Sequence, residues 1–481
     1  MNDLAGDPQV DARGGTRRRT YAITLAALLA VFLAATGLVW KREHDSASAQ
    51  ERIALARGLA LHAAELRGVD PPMAWDLGVA AVKIHSDEQT RAGLTDTLLW
   101  GRGDSLTSGV SNPVALSGDG RIALTGDGDD EDKESVWDLK SWLDPKIVEK
   151  SDRLAVLKSR KGFVGSVALS FDGRTALAAG GNDDATIVWD LADPAKPSRL
   201  ATLAVERTGK RNSDDINRVE AVTLSRDGRT AVIVGTNGDM TVWDLSVRSH
   251  PVRLSMTRAH TSPMHDLDLS ADGRTAVTLD IDGVVTVWDL ADPSHPVRSV
   301  DLDQPAKAAR ETAMSADGRV VLVGSAHQVE IWNLGDRRHP VRIAVFDIPL
   351  GDMYDMALTP DGKRALFAGA SGSGLLWDLS NPSRPTRLAA LHGYGQEIDS
   401  VALSADGGVA LTAGSNGASL WNLKKLAEIV ADPGRVACHG DQGTKISEED
   451  WARYANGADW SDYQQESSDH LYICDIRPDS P

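Results

Sequence analysis

Cysteine is nearly missing from this chain: Cys438 and Cys474 are the only two, and neither belongs to a Cys-x-x-Cys pair. A structural zinc site needs four ligands, so one built on thiolates is excluded. What remains is a possible disulfide between the two tail cysteines, or two unrelated free thiols. Aromatic residues are also scarce at 5%, and seven of the thirteen Trp recur at one repeated position, which leaves little for a second large core. Basic charge falls short of acidic, with 51 Lys and Arg against 69 Asp and Glu and a net charge of −18. So acidic a surface repels a phosphate backbone, and nucleic acid is not an expected partner.

The signatures of chemistry are missing too. There is no Gly-x-x-x-x-Gly-Lys-Ser/Thr loop, no kinase signature set and no Gly-x-Ser-x-Gly elbow. The twelve histidines are scattered, and His250, His295 and His339 each precede Pro in the same kind of linker, so they recur for structural reasons. The acidic run from Asp127 to Glu134 has the carboxylates that calcium prefers but lacks an EF-hand's Gly at the sixth position, and reads as a solvated turn. No catalytic, cofactor-binding or metal-binding residue is predicted.

What is present is a repeat. Trp137, Trp189, Trp243, Trp288, Trp332, Trp377 and Trp421 follow one another at 52, 54, 45, 44, 45 and 44 residues. Each is preceded, 15 to 18 residues earlier, by Asp-Gly: Asp119-Gly120, Asp172-Gly173, Asp227-Gly228, Asp272-Gly273, Asp317-Gly318, Asp361-Gly362 and Asp406-Gly407. Around Trp288, Leu267–Ser270 alternates apolar and polar residues, Asp272-Gly273 supplies a tight turn, Thr275–Asp280 forms a second strand and Val284–Leu290 a third. Val297–Leu302 is a fourth. Four short antiparallel strands per period is the sheet of one propeller blade.

The seven units resemble the WD40 family over roughly residues 103–430, with Trp-Asp at five of the repeated positions and Trp-Asn at 332 and 421. The resemblance implies an all-β, seven-bladed WD40 β-propeller, closed by a strand from the N-terminal side of the array, for which Asp104–Ser108 is in position. The Gly-His that opens a family repeat is nearly absent. Only the fourth unit keeps a His, Asp and Trp set, read as His260, Asp282 and Trp288.

Residues 1–20 are polar and read as disordered. Tyr21 to Trp40 is twenty residues without a charge, which at about 1.5 Å per residue spans the roughly 30 Å hydrocarbon layer as one transmembrane helix. A cleaved signal peptide ending at Ala47-Ser48-Ala49 is the competing reading, and Arg17-Arg18 also permits a twin-arginine export signal. Arg17-Arg18-Arg19 before the span favours an inside N-terminus. Paired cysteines would agree, because they belong outside the cytoplasm. The expected location is therefore the cell membrane, single-pass, with the propeller extracytoplasmic.

Residues 46–99 change to helical periodicity: Leu55, Leu59, Ala63 and Leu66, then Met73, Leu77, Ala81 and Ile84 behind an Asp70-Pro71 cap, then a third helix opened by a capping box at 86–89. This linker resembles the one ahead of the WD40 array in actinobacterial signalling proteins, through Ala56-Arg57-x-Leu59-Ala60, Leu66-Arg67, Asp70-Pro71 and Arg91-Ala-x-Leu94. In the tail, residues 431–481, the order Cys438, Glu449-x-Trp451-x-x-Tyr454, Cys474 is similar as well. Leu423–Val430 reads as helix, broken by Asp432-Pro433-Gly434, and Ile446–Ala455 as a short helix.

Seven copies at fixed spacing serve the fold, so function is expected where the blades differ. Loops entering the first strand of each blade carry Phe163, Met264, Tyr354 and Tyr394, candidate contacts on one face of the disc unless they pack inward. The expected function is a membrane-anchored platform for an unidentified protein partner, in envelope signalling or assembly, without enzymatic activity or cofactors. The alternative is an extracytoplasmic propeller enzyme, or a sensor that binds a metal or small ligand.

Overall fold

Seven four-stranded antiparallel sheets are built from residues Asp104 to Asn422. They belong to a computed structural model that describes residues 48–107, 113–126, 133–144, 146, 153–158, 164–180, 185–204, 218–303, 309–392, 397–438, 445–459, 462–463 and 470–476. The chain divides into two compact units, residues 91–440 and residues 1–90 with 441–481.

In the larger unit each blade runs from an inner strand to an exposed outer one. In blade 4 these are Met264–Leu269, Thr275–Asp280, Val285–Asp289 and Val297–Asp301, in that spatial order. The second strand is buried throughout, while the outer strand is mostly exposed. The seven inner strands neighbour one another in sequence, and the last meets the first, so they form a ring around a central channel. The ring is closed within blade 7: Asp104–Ser105 pairs antiparallel with Gly417–Asn422, Asp104 opposite Leu420, which completes a sheet begun by Ile398–Leu403.

The repeated Trp are 1–9% exposed. Those of blades 1 to 6 each wedge against the preceding blade. Trp288, for example, shares a cluster with Val232, Met240 and Val242 of blade 3. The Asp or Asn after each Trp accepts the amide two residues on, from Asp138 (Lys140 N, 3.0 Å) to Asn333 (Gly335 N, 2.7 Å) and Asn422 (Lys424 N, 3.2 Å). One side-chain carbonyl oxygen suffices for that bond, which is why Asp and Asn interchange here.

Each Asp-Gly turn is stapled by a hydroxyl that the sequence reading did not single out. Ser270 Oγ donates to Asp272 Oδ1 (2.6 Å) and accepts the Thr275 amide (2.9 Å), while Asp272 Oδ1 also accepts the Arg274 amide (3.0 Å). Ser117, Ser170, Ser225, Ser315, Thr359 and Ser404 donate to the equivalent Asp at 2.6–2.8 Å. The seven turn glycines have φ between +63° and +71°, a conformation that explains the invariant Gly within the repeat.

The polar set of blade 4 differs from expectation in one member. His260 Nδ1 lies 3.0 Å from Asp280 Oδ2, its Nε2 is 2.8 Å from Thr278 Oγ1, and Trp288 Nε1 donates to the same Thr278 Oγ1 at 2.9 Å. The acid is therefore Asp280, not Asp282, which instead accepts from Ser262 Oγ in the adjoining turn. Asp280 Oδ1 also takes the Asp282 and Val284 amides, so a residue at the end of the second strand serves turn and histidine together. Burial lowers the His260 pKa, and the bonding fits a neutral ring with its proton on Nδ1.

The smaller unit holds helices α1 (48–66), α2 (Pro71–Ile84) and the start of α3 (Glu88–Leu99), together with a two-stranded sheet of Lys445–Ser447 and His470–Tyr472. Asp70 caps α2 through the Met73 amide at 3.1 Å, as expected. The box that opens α3 sits one residue later than predicted: Asp87 Oδ1 accepts the Thr90 amide and Thr90 Oγ1 accepts the Asp87 amide. The expected helix 446–455 is a strand followed by Glu448–Tyr454, because Ser447 caps the Asp450 amide and starts the helix there. In the larger unit the helix expected over 423–430 is Leu426–Ala431 and ends at Asp432, as Asp432-Pro433-Gly434 predicted, and Pro433 then opens a further helix, Pro433–Cys438; proline at a first helical turn gives up no internal bond. Both cysteines are disulfide-bonded. No helix among the described residues is long and apolar enough to cross a membrane, and residues 21–40 lie outside the described residues.

Candidate functional site

The inner strands share one register, counted back from the hydroxyl residue of each turn. Two positions back stand Ala115, Ala168, Thr223, Asp268, Ala313, Ala357 and Ala402, so a single carboxylate falls at a position otherwise held by small residues, of which Ala115 and Ala313 are buried in the clusters between blades. Four positions back stand Ser166, Asp266, Asp355 and Ser400, and in blade 5 Glu311.

Ser166, Asp266, Asp355 and Ser400 clasp neighbouring blades. Register shifts at Val164/Ser166, Val219/Ala221, Met264/Asp266, Met353/Asp355 and Ile398/Ser400 mark a bulge near the start of five inner strands. Where a bulge disrupts a ladder, amides need other acceptors. Ser166 Oγ accepts Val222 N and Ser400 Oγ accepts Val114 N, each at 3.2 Å. Asp266 Oδ2 accepts Thr312 N at 2.7 Å, and Asp355 Oδ2 accepts Val401 N at 2.7 Å. Their second oxygens take the next amide of their own strand, Leu267 N and Met356 N, both at 2.7 Å. Asp268 repeats the clasp one step deeper, with backbone bonds from Met314 and Leu269.

This architecture gathers carboxyl groups in blades 4, 5 and 6, where burial and mutual repulsion favour their protonated forms. Burial raises the Asp268 carboxyl well above the usual range, and nearby Asp266 and Asp355 push it further. Glu311 is raised well above its usual value by burial and then by Asp266, Asp355 and Asp268. Asp355 is raised to about 7 by burial, against the Val401 and Ser400 hydrogen bonds that lower it. At the same end lie Glu220 and Asp399, each half-buried and raised chiefly by burial. The cationic groups beside them among the described residues are His265, whose Nδ1 is 4.0 Å from Glu311 Oε1, Arg310, exposed next to Glu311 in the chain, and Arg218, which acts on Glu220. Tyr354 sits half-buried at this mouth, its hydroxyl pKa raised by burial and by Glu397, Asp352 and Asp399. Among the described residues no group of three or more His, Cys, Asp or Glu has the arrangement of a metal site.

Of the four predicted face residues, Tyr354 is at the mouth. Met264 is a correction: it is 1% exposed and packs with Val242, Leu267 and Trp288, because as the first residue of its strand it faces the seam with blade 3. Phe163 and Tyr394 lie outside the described residues. Of the acidic run, residues 127–132 are likewise outside, while Glu134 is fully buried in the third strand of blade 1. The carboxylates Asp266, Asp268, Glu311 and Asp355 were missed. Counting back from each Ser/Thr-x-Asp-Gly would have exposed them as acids at positions where other blades carry Ala, Ser, Thr or Pro.

The "WD domain, G-beta repeat" model matches residues 252–289. That span runs from the outer strand of blade 3 to the third strand of blade 4, so the sequence unit is offset by one strand from the structural blade and includes the His260 set. The NAD(+) hydrolase ApTIR of Actinoplanes sp. is 40% identical over 110 residues, which take in 22% of this chain and 14% of that protein.

Proposed function

Since the chain belongs to the WD40-repeat β-propellers, we propose that it is a non-enzymatic platform that binds a partner protein at the acidic mouth of its channel. The observation that carries this reading is the gathering of Asp266, Asp268, Glu311 and Asp355 around one opening, with Glu220, Asp399 and the Tyr354 ring beside them. A Lys or Arg on a partner's contact surface would draw these carboxyl groups towards their charged forms and could pack on the Tyr354 ring, so a basic contact surface is favoured. The short match to the hydrolase leaves NAD(+) chemistry with that protein.

The reading extends to location. The uncharged run 21–40 would hold the propeller at the membrane, and a disulfide-bonded cysteine pair suits an extracytoplasmic compartment. An interaction platform held there would serve signalling or assembly in the envelope.

The test uses the full-length protein as bait in quantitative cross-linking within its own envelope, compared with Tyr354→Ala and the double variant Glu220→Gln, Asp399→Asn. These residues are half-buried or at the rim, so the fold should persist. Partner recovery should fall at least fivefold and weaken in high salt. Equal recovery from wild type and variants would remove the mouth as the contact, and turnover of a small substrate by the purified protein would favour the enzyme reading instead.

A further inference from the structure

Outer strands are the open edges of this propeller, and one of them is already occupied by the chain itself. On blade 6, strand Thr386–His392, Asp96 of α3 accepts the Ala390 amide at 2.7 Å and pairs with Arg387, while Trp100 packs on the His392 ring at 4.6 Å. The edge amide has a bonded partner there.

The matching strand of blade 5, Val341–Asp347, reads Val-Arg-Ile-Ala-Val-Phe-Asp. Val341 is 61% and Val345 44% exposed. At the place of Val341, blades 3 and 4 also carry exposed valines, Val252 and Val297, and blades 2 and 6 have Ser198 and Thr386; at the place of Val345, blades 2, 3, 4 and 6 have Thr202, Met256, Asp301 and Ala390, so the second exposed valine sets blade 5 apart from them. Soluble proteins usually blunt such an edge with charge or proline. Val341–Asp347 follows Pro340 and carries Arg342 and Asp347, yet between these charges it exposes the β-branched Val345, with Val341 at its start. At its far end the strand meets an open cavity of about 670 Å³, lined by residues 325–328 from the turn between the second and third strands and by 347–349. Asp347 stands on the rim, its Oδ1 accepting from the side-chain Nε2 of Gln328 at 2.9 Å.

We propose that this edge and cavity receive an extended segment of a partner protein, added to blade 5 as a fifth strand. Strand addition draws affinity from main-chain hydrogen bonds and specificity from alternate side chains. Alternate apolar residues of the segment would lie along Val341 and Val345, and one would enter the cavity against Ile348 and Ala326. A Lys or Arg at that end meets Asp347, and the chain's net charge of −18 favours the same sign. The surface lies on the outer strand, apart from the channel mouth, so it is a second contact and does not depend on the first.

The probe is a fluorescein-labelled octapeptide of alternating valine and threonine that ends in lysine, titrated against the full-length protein by anisotropy. A counterpart with proline at two central positions cannot donate the edge bonds and serves as control. The alternating peptide should bind and the proline peptide should not. Val345→Lys, and independently Ala326→Trp to fill the cavity, should each weaken binding at least tenfold with an unchanged unfolding midpoint. Equal binding of the two peptides, no binding at all, or wild-type affinity in both variants would overturn the proposal. So would a dimer in sedimentation equilibrium that Val345→Lys dissolves, since it would make a second copy the occupant.

Discussion

At the scale of single residues, five of the seven equivalent tryptophans solve one problem in two ways. The indole N–H is buried at the seam and needs an acceptor. Trp137, Trp288 and Trp421 donate to a threonine on the second strand, Thr125, Thr278 and Thr412. Trp243 and Trp332 use Thr241 and Glu330, two residues earlier on their own strand. In blades 2 and 6 both places are apolar, Ala178 with Ile187 and Phe367 with Leu375, and Trp189 and Trp377 have no acceptor among the described residues. Ala178→Thr should therefore stabilise the protein by about 1 kcal/mol, the net value of a buried hydrogen bond, measured by urea unfolding. A loss of stability would mean that the seam cannot take the hydroxyl. The position of every Trp was legible in the sequence. The acceptors were not, because the partner comes from one of two strands and each location is only visible once the register is known.

The element that the sequence hid most completely is the bulged inner strand. Alternation identified these strands, but the bulge shifts their pattern by one residue, so Met264 was expected at the surface and Asp266 was passed over. Turn chemistry was read correctly from Asp-Gly, whereas the Ser two residues before Asp is a common residue with no signature of its own. Helix starts were misplaced by one or two residues for the same reason: at 86–89 and 446–448 several polar residues in a row can cap, and packing chooses among them. The clasps have a measurable signature. Asp355 titrates at about 7 in the folded protein, raised from 3.8 mainly by burial. A group raised in this way contributes its full stability below about pH 4 and loses it as the pH climbs through about 7. Asp355→Asn removes that titration and one acceptor to the neighbouring strand. Urea unfolding between pH 4 and 8 should show the wild type losing more stability with rising pH than the variant, from a variant baseline about 1 kcal/mol lower at pH 4. Identical slopes would show that Asp355 does not carry the dependence.

For the whole molecule, the seven-fold repeat was plain from two markers at matched spacing, and so was the closing strand near Asp104. The membrane reading concerns residues 21–40 and is tested on cells. Protease added to intact cells should cut the propeller's linkers, and non-reduced peptide mapping should recover Cys438 joined to Cys474. Digestion only after lysis would put the domain in the cytoplasm. Blade 7 also sets a timetable. Its first-made strand, Asp104–Ser105, leaves the ribosome early, but the strand it pairs with begins at Gly417. At roughly 5–20 residues per second the wait is on the order of tens of seconds. Throughout synthesis the growing chain is an arc with an unpaired seam at each end, and only the last Trp-bearing strand turns it into a ring. Cellular factors that shield nascent chains would act in that interval, and a stalled or truncated message that ends before Gly417 would yield six completed blades with nothing to join them.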